Sequence, residues 1–77
     1  MEPLIAIIGR LFERAGKSNR EVASYCGCDP SQITRYRAGR LMIPLPVLLR
    51  MLDVLEATAA EVVDAQRAWM DAHREAA

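Results

Sequence analysis

Aromatic residues are scarce in this sequence, which has one Trp, one Phe and two Tyr among 77 residues. The apolar half of the composition is mainly Leu, Ile, Val, Met and Ala, which suit packed helices better than sheets, so an all-α fold is expected. Long hydrophobic runs are missing too. Nothing approaches the roughly 20 apolar residues that span a bilayer, and the N-terminus carries neither the basic stretch nor the cleavage site of a signal peptide. A cytoplasmic protein with no membrane partner is the expectation. Cysteine is limited to Cys26 and Cys28, too close for an ordinary structural disulfide and half of what tetrahedral zinc needs. Both are read as reduced, Cys26 as a small core residue, and neither metal nor cofactor is expected. The single histidine, His73, has no second ligand at helical spacing and reads as an ordinary surface residue. No Ser, Cys or carboxylate has an identifiable base and orienting partner, so the chain does not read as an enzyme.

Net charge is absent as well, which taken alone argues against a nucleic-acid partner. The distribution reverses that argument. Residues 1–50 hold Arg10, Arg14, Lys17, Arg20, Arg35, Arg37, Arg40 and Arg50 against Glu2, Glu13, Glu21 and Asp29, a balance of +4. Residues 51–77 hold Arg67 and Arg74 against Asp53, Glu56, Glu61, Asp64, Asp71 and Glu75, a balance of −4. A basic front and an acidic back orient a protein on DNA, although an acidic helix is equally at home on proteins that never touch it.

Helix punctuation is dense. Pro3 suits a first helical turn, and Leu4, Ile5, Ile8, Leu11 and Phe12 recur as one buried face before Gly16 stops the helix. Ser18 and Glu21 form a capping box that opens a second helix to about Tyr25, and Gly27 makes the turn. Asp29, Pro30 and Gln32 repeat the same signals for a third helix, from about Pro30 to Ala38, with Gly39 as its stop. Pro46 starts a fourth helix reaching about Glu56, with Val47, Leu48, Met51, Leu52 and Leu55 as its core stripe. Thr58 and Glu61 cap a fifth helix that carries Trp69 and Met70 and frays near the C-terminus. Residues 1–77 therefore read as one compact five-helix domain, with 17–40 as a DNA-reading unit and 41–77 as packing and oligomerisation helices.

The second and third helices carry a more specific signal. Within the twenty positions beginning at Asn19, Val22 stands fourth, Ala23 fifth, Gly27 ninth, Ile33 fifteenth and Tyr36 eighteenth. Ala23 must be small where the third helix crosses, Gly27 takes a turn conformation that other residues resist, and Val22, Ile33 and Tyr36 pin the crossing angle. These are the requirements of a helix-turn-helix, whose second helix enters the major groove. On that helix Ser31, Gln32 and Arg35 face outward for base readout, Gln to adenine and Arg to guanine. Lys17, Asn19, Arg20, Thr34, Arg37 and Arg40 flank the groove and suit phosphates. Each has a plainer reading: Gln32 as partner of Asp29 in a cap, the arginines as solvated surface charges.

Residues 18–56 resemble the lambda-repressor-like helix-turn-helix superfamily. Within them, Asp29-Pro30-Ser31-Gln32-Ile33-Thr34-Arg35-Tyr36, followed by Ile43-Pro44 and the helix from Leu48-Leu49 to Leu55-Glu56, is similar to the phage CII transcriptional activators. The resemblance implies a five-helix protomer assembling into a tetramer, a direct repeat of double-stranded DNA beside a promoter, and recruitment of RNA polymerase. On the fifth helix Val62, Val63, Gln66, Trp69 and Met70 form a stripe that either closes the core or makes an oligomer interface. The expected function is a transcriptional regulator, and the rival from another class is a protein-binding helical module built on the same frame.

Overall fold

A computed structural model describes residues 2–76, with side chains through Arg74. Its five helices are α1 (Leu4–Ala15), α2 (Asn19–Cys26), α3 (Pro30–Arg37), α4 (Leu45–Val54) and α5 (Ala59–Ala76), with no strand among the described residues. The all-α, five-helix expectation holds. Helix α2 packs against α3 and α4, while α1 packs against α5 and α3, so the α2–α3 pair sits on a platform of the other three.

The caps act where the sequence puts them. Ser18 and Glu21 exchange side-chain and backbone hydrogen bonds, both 3.1 Å, and these hold the Glu21 carboxyl below its ordinary range. The Asp29 N–H donates to Gln32 Oε1 at 3.1 Å. Thr58 and Glu61 repeat the exchange at the start of α5, at 2.8 and 3.2 Å. Several boundaries differ from expectation. Pro3 caps α1 from outside it, and α4 starts one residue early, with Pro44 as its cap and Pro46 inside the first turn. That helix ends at Val54, and Glu56 then takes the left-handed region at φ 57 where glycine is the usual choice. Ile5, expected on the buried face of α1, is 44% exposed, and Ile7 is buried in its place. Ile5, Ile7 and Ile8 lie within four positions, so spacing alone did not choose among them. The true face runs 4, 7, 8, 11, 12, with Leu4 half-buried at its start.

The core is continuous through Ile8, Leu11, Val22, Ile33, Leu48, Met51 and Leu55, each under 2% exposed. Cys26 is buried, as expected, and burial pushes its thiol up. One polar clasp joins distant parts of the chain. Arg14 on α1 donates two hydrogen bonds to the Glu61 carboxylate, at 2.6 and 2.8 Å, and a third to the Glu56 carbonyl at 3.2 Å. The Arg14 hydrogen bonds, with the Thr58 cap behind them, hold Glu61 down from 4.5 to about 2. A carboxyl lowered by folding stabilises the native state above its unfolded pKa and loses that contribution as pH falls through its folded one. Wild type is therefore expected to lose stability relative to Glu61→Gln between about pH 4.5 and pH 2, read by thermal melts across that range. A stability difference that stays flat there would show that Arg14 does not engage Glu61 in solution.

Candidate nucleic-acid interface

The turn between α2 and α3 begins with Gly27 at φ 70, and the Cys28 N–H returns to the Ala23 carbonyl at 3.0 Å. That hydrogen bond closes the last turn of α2 and reverses the chain within three residues. Ala23 is 1% exposed and Val22 and Ile33 are fully buried, with Tyr36 at 4%. All five positions singled out in the sequence thus perform their structural duties, and Tyr36 is a core residue, its phenol pushed up by burial.

With Ile33 and Tyr36 turned inward, α3 presents Ser31, Thr34, Arg35 and Arg37 to solvent and leaves Gln32 half-buried. Ser31 and Arg35 stand four residues apart on one helical face. Arg35 makes no ion pair or side-chain hydrogen bond among the described residues, so its guanidinium fork is available. Gln32 is not equally free. Its Oε1 accepts the Asp29 N–H, and a bidentate grip on adenine needs both amide atoms. In its capped position Gln32 offers only its Nε2 donors to a base edge.

Three residues read as phosphate contacts turn out to be joined. Arg37 donates to Asn19 Oδ1 at 2.8 Å, Asn19 Nδ2 donates to Thr34 Oγ1 at 3.1 Å, and that hydroxyl donates to the Pro30 carbonyl at 3.2 Å. The Arg37 guanidinium also lies 4.1 Å from the centre of the Phe12 ring, covering the end of the core. This chain fastens the start of α2 to the exposed side of α3, and fixes the tilt at which α3 is presented. Asn19 retains one amide hydrogen and Arg37 most of its five, so their outer edges remain able to donate. Sequence reading assigned these residues by position and missed their mutual bonds, since partners 15 and 18 residues apart leave no local pattern.

The cations divide in a telling way. Arg10 pairs with Glu2, Arg14 with Glu61 and Arg74 with Asp71, while Arg50 donates to the Cys26 carbonyl. Lys17 just before α2, Arg20 in α2, Arg35 in α3 and Arg40 just after it have no such partner among the described residues. Positive charge left uncompensated by the fold is therefore concentrated on the α2–α3 unit. Arg50 on α4, whose partner is a neutral carbonyl, and Arg67 on α5 are the exceptions.

The fifth-helix stripe divides as well. Val63 and Met70 are 46% and 56% exposed, whereas Val62 and Trp69 pack against the core and Gln66 is half-buried. The Trp69 indole N–H donates to the Ile43 carbonyl at 2.6 Å, tying α5 to the connection after α3. His73, read as an ordinary surface residue, is half-buried with its ring 3.7 Å from that of Trp69. Among the described residues, no three His, Cys, Asp or Glu are placed to hold a metal ion, and no helix is long and apolar enough to cross a membrane.

Neither the curated proteins nor the solved structures provide a match to this chain. The helix-turn-helix domain family, by contrast, matches residues 8–65, from the middle of α1 into α5, and so takes in the whole α2–α3 unit. By that match and by the packing of α3 on α2, the chain belongs to the helix-turn-helix domain family, a DNA-binding fold.

Proposed function

We propose that the protein is a sequence-specific transcriptional regulator of phage or prophage origin, a CII-like activator that works as an oligomer at a promoter in the bacterial cytoplasm. The observation that carries this reading is that Lys17, Arg20, Arg35 and Arg40, all on the segment that holds α2 and α3, have no ion-pair partner among the described residues. Residues 17–40 bind double-stranded DNA. Ser31, Gln32 and Arg35 meet base edges, and Lys17, Asn19, Arg20, Thr34, Arg37 and Arg40 contribute phosphate contacts, which give affinity more than sequence choice. Residues 41–77 provide packing and self-association, and RNA polymerase is the partner at the promoter. A single module reads few base pairs, so specificity in a genome requires at least a dimer.

The second reading, a protein-binding module on a helix-turn-helix frame, is favoured by the zero net charge. Selection from a random DNA pool at two salt concentrations separates the two. The regulator is expected to enrich a motif repeated about one helical turn apart and to lose affinity steeply as salt rises. Weak retention at low salt with no motif would reject it in favour of the module.

A further inference from the structure

The internal hydrogen bonds of the α2–α3 unit decide what kind of base edge it can read, because each fixes which end of a side chain the fold uses. A backbone N–H and a guanidinium can only donate, so the amide atom that meets either one is an oxygen. The Asp29 N–H holds Gln32 Oε1 at 3.1 Å, and Arg37 holds Asn19 Oδ1 at 2.8 Å. Both amides therefore turn their acceptor into the fold and keep NH2 hydrogens for what lies outside. The Thr34 hydroxyl gives its one hydrogen to the Pro30 carbonyl at 3.2 Å and accepts from Asn19 at 3.1 Å. Arg35 is exposed, and a guanidinium has no acceptor at all. Helix α3 contains no Asp or Glu, and Asp29 before it serves as its N-cap, half of the capping box with Gln32. The Ser31 hydroxyl can act in either sense.

A face of donors selects acceptors. In the major groove guanine shows N7 and O6 and thymine shows O4, whereas adenine sets an amino group beside its N7 and cytosine shows an amino group. An amino group brought against Gln32 Nε2 or Arg35 sets donor against donor, with hydrogens on both sides taken from water and left unbonded. We propose that the protein reads keto bases: guanine where Arg35 meets the groove, through O6 and N7, and guanine or thymine where Gln32 meets it, through O6 or O4. The inference deepens the regulator reading and rests on it for the presence of DNA at α3. It departs from the pairing of glutamine with adenine, which needs the amide oxygen that the Asp29 N–H already holds. Turning that amide toward adenine would strip the Asp29 N–H of its acceptor and break the cap of α3. The outward donors of Asn19 and Arg37 meet phosphate oxygens, which are acceptors in every sequence.

Selection from a random duplex pool, run in parallel with wild type, Gln32→Glu and Arg35→Ala, tests the assignment. The position each side chain reads is the one whose base preference its variant changes. Glutamate keeps the cap, as Glu21 does at the start of α2, and replaces the outward NH2 with a carboxylate oxygen that only accepts. At the Gln32 position wild type is expected to favour guanine or thymine over adenine by about 2- to 12-fold, the scale of one neutral hydrogen bond. At the Arg35 position it is expected to favour guanine by about 5- to 150-fold. Gln32→Glu is expected to move its position to cytosine or adenine, whose amino groups donate, while its charge weakens binding to all duplexes. Should Gln32→Glu lose helicity by circular dichroism, wild-type titrations of the selected duplex with each base replaced in turn supply the same preferences. Adenine as the wild-type choice at the Gln32 position, or a Gln32→Glu motif identical to that of wild type, would overturn the keto assignment and leave the regulator standing. Recovery of no motif by wild type rejects the regulator and the assignment together.

Discussion

Arg35→Ala is expected to weaken binding to the selected operator by about 5- to 150-fold, the 1–3 kcal/mol that a bidentate arginine contributes to base discrimination. Arg35 is exposed, lacks an internal partner and shares its helical face with Ser31, so its removal leaves no buried group unsatisfied and does not disturb packing. The loss should therefore fall on the operator and spare scrambled DNA. Arg40→Ala, beyond the end of α3, is expected to behave in the opposite way. It should weaken all sequences alike and reduce the slope of log affinity against log salt by about 0.9, the counterion released by one phosphate contact. Gln32→Ala is expected to fall between them, since it removes an amide proposed for base contact and also the acceptor of the Asp29 N–H. Its cost should appear in both operator affinity and melting temperature. Anisotropy titrations with operator and scrambled duplexes at two salt concentrations check all three, and equal loss on both duplexes for Arg35→Ala would remove that residue from base readout.

These variants can be chosen because much of the fold was legible as local grammar. Ser18 with Glu21, Asp29 with Gln32 and Thr58 with Glu61 each mark a helix start within four residues, and Gly16, Gly27 and Gly39 all adopt positive φ at helix ends. The crossing of α2 and α3 was legible because Ala23, Gly27 and Ile33 leave few alternatives in size and backbone conformation. What the sequence did not reveal depends on residues that meet only after folding. Arg14 finds Glu61 across 47 positions, Tyr25 finds Asp53 across 28 and Trp69 finds Ile43 across 26. The α5 stripe illustrates the difference. Its spacing was visible, but whether Trp69 faced inward depended on a carbonyl in another segment. The site shows the same limit: the exposed face of α3 followed from which residues were buried, while the tie from Arg37 through Asn19 to Thr34 required the helices to be docked.

Ile33→Ala is expected to cost about 2–5 kcal/mol and lower the melting temperature by about 10–30 °C. Ile33 is fully buried where α3 crosses α2, and truncation leaves a cavity that the crossing helices cannot close without tilting α3. For 77 residues the whole native state is worth only about 4–12 kcal/mol, so the variant stands near the edge of folding at 37 °C. Ile33→Val, which keeps the branch at the crossing, should cost about 0.5–1.5 kcal/mol and serves as the graded control. The pair also separates stability from reading. Ile33→Ala should bind the operator poorly when warm and recover on cooling, because its outward face is unchanged and only its folded population falls. Arg35→Ala should melt like wild type and bind poorly at every temperature. A small melting shift for Ile33→Ala would mean that α3 is held by its polar ties to α2 more than by its core. In that case Asn19→Ala, which cuts the link between Arg37 and Thr34, should be the variant that releases the helix.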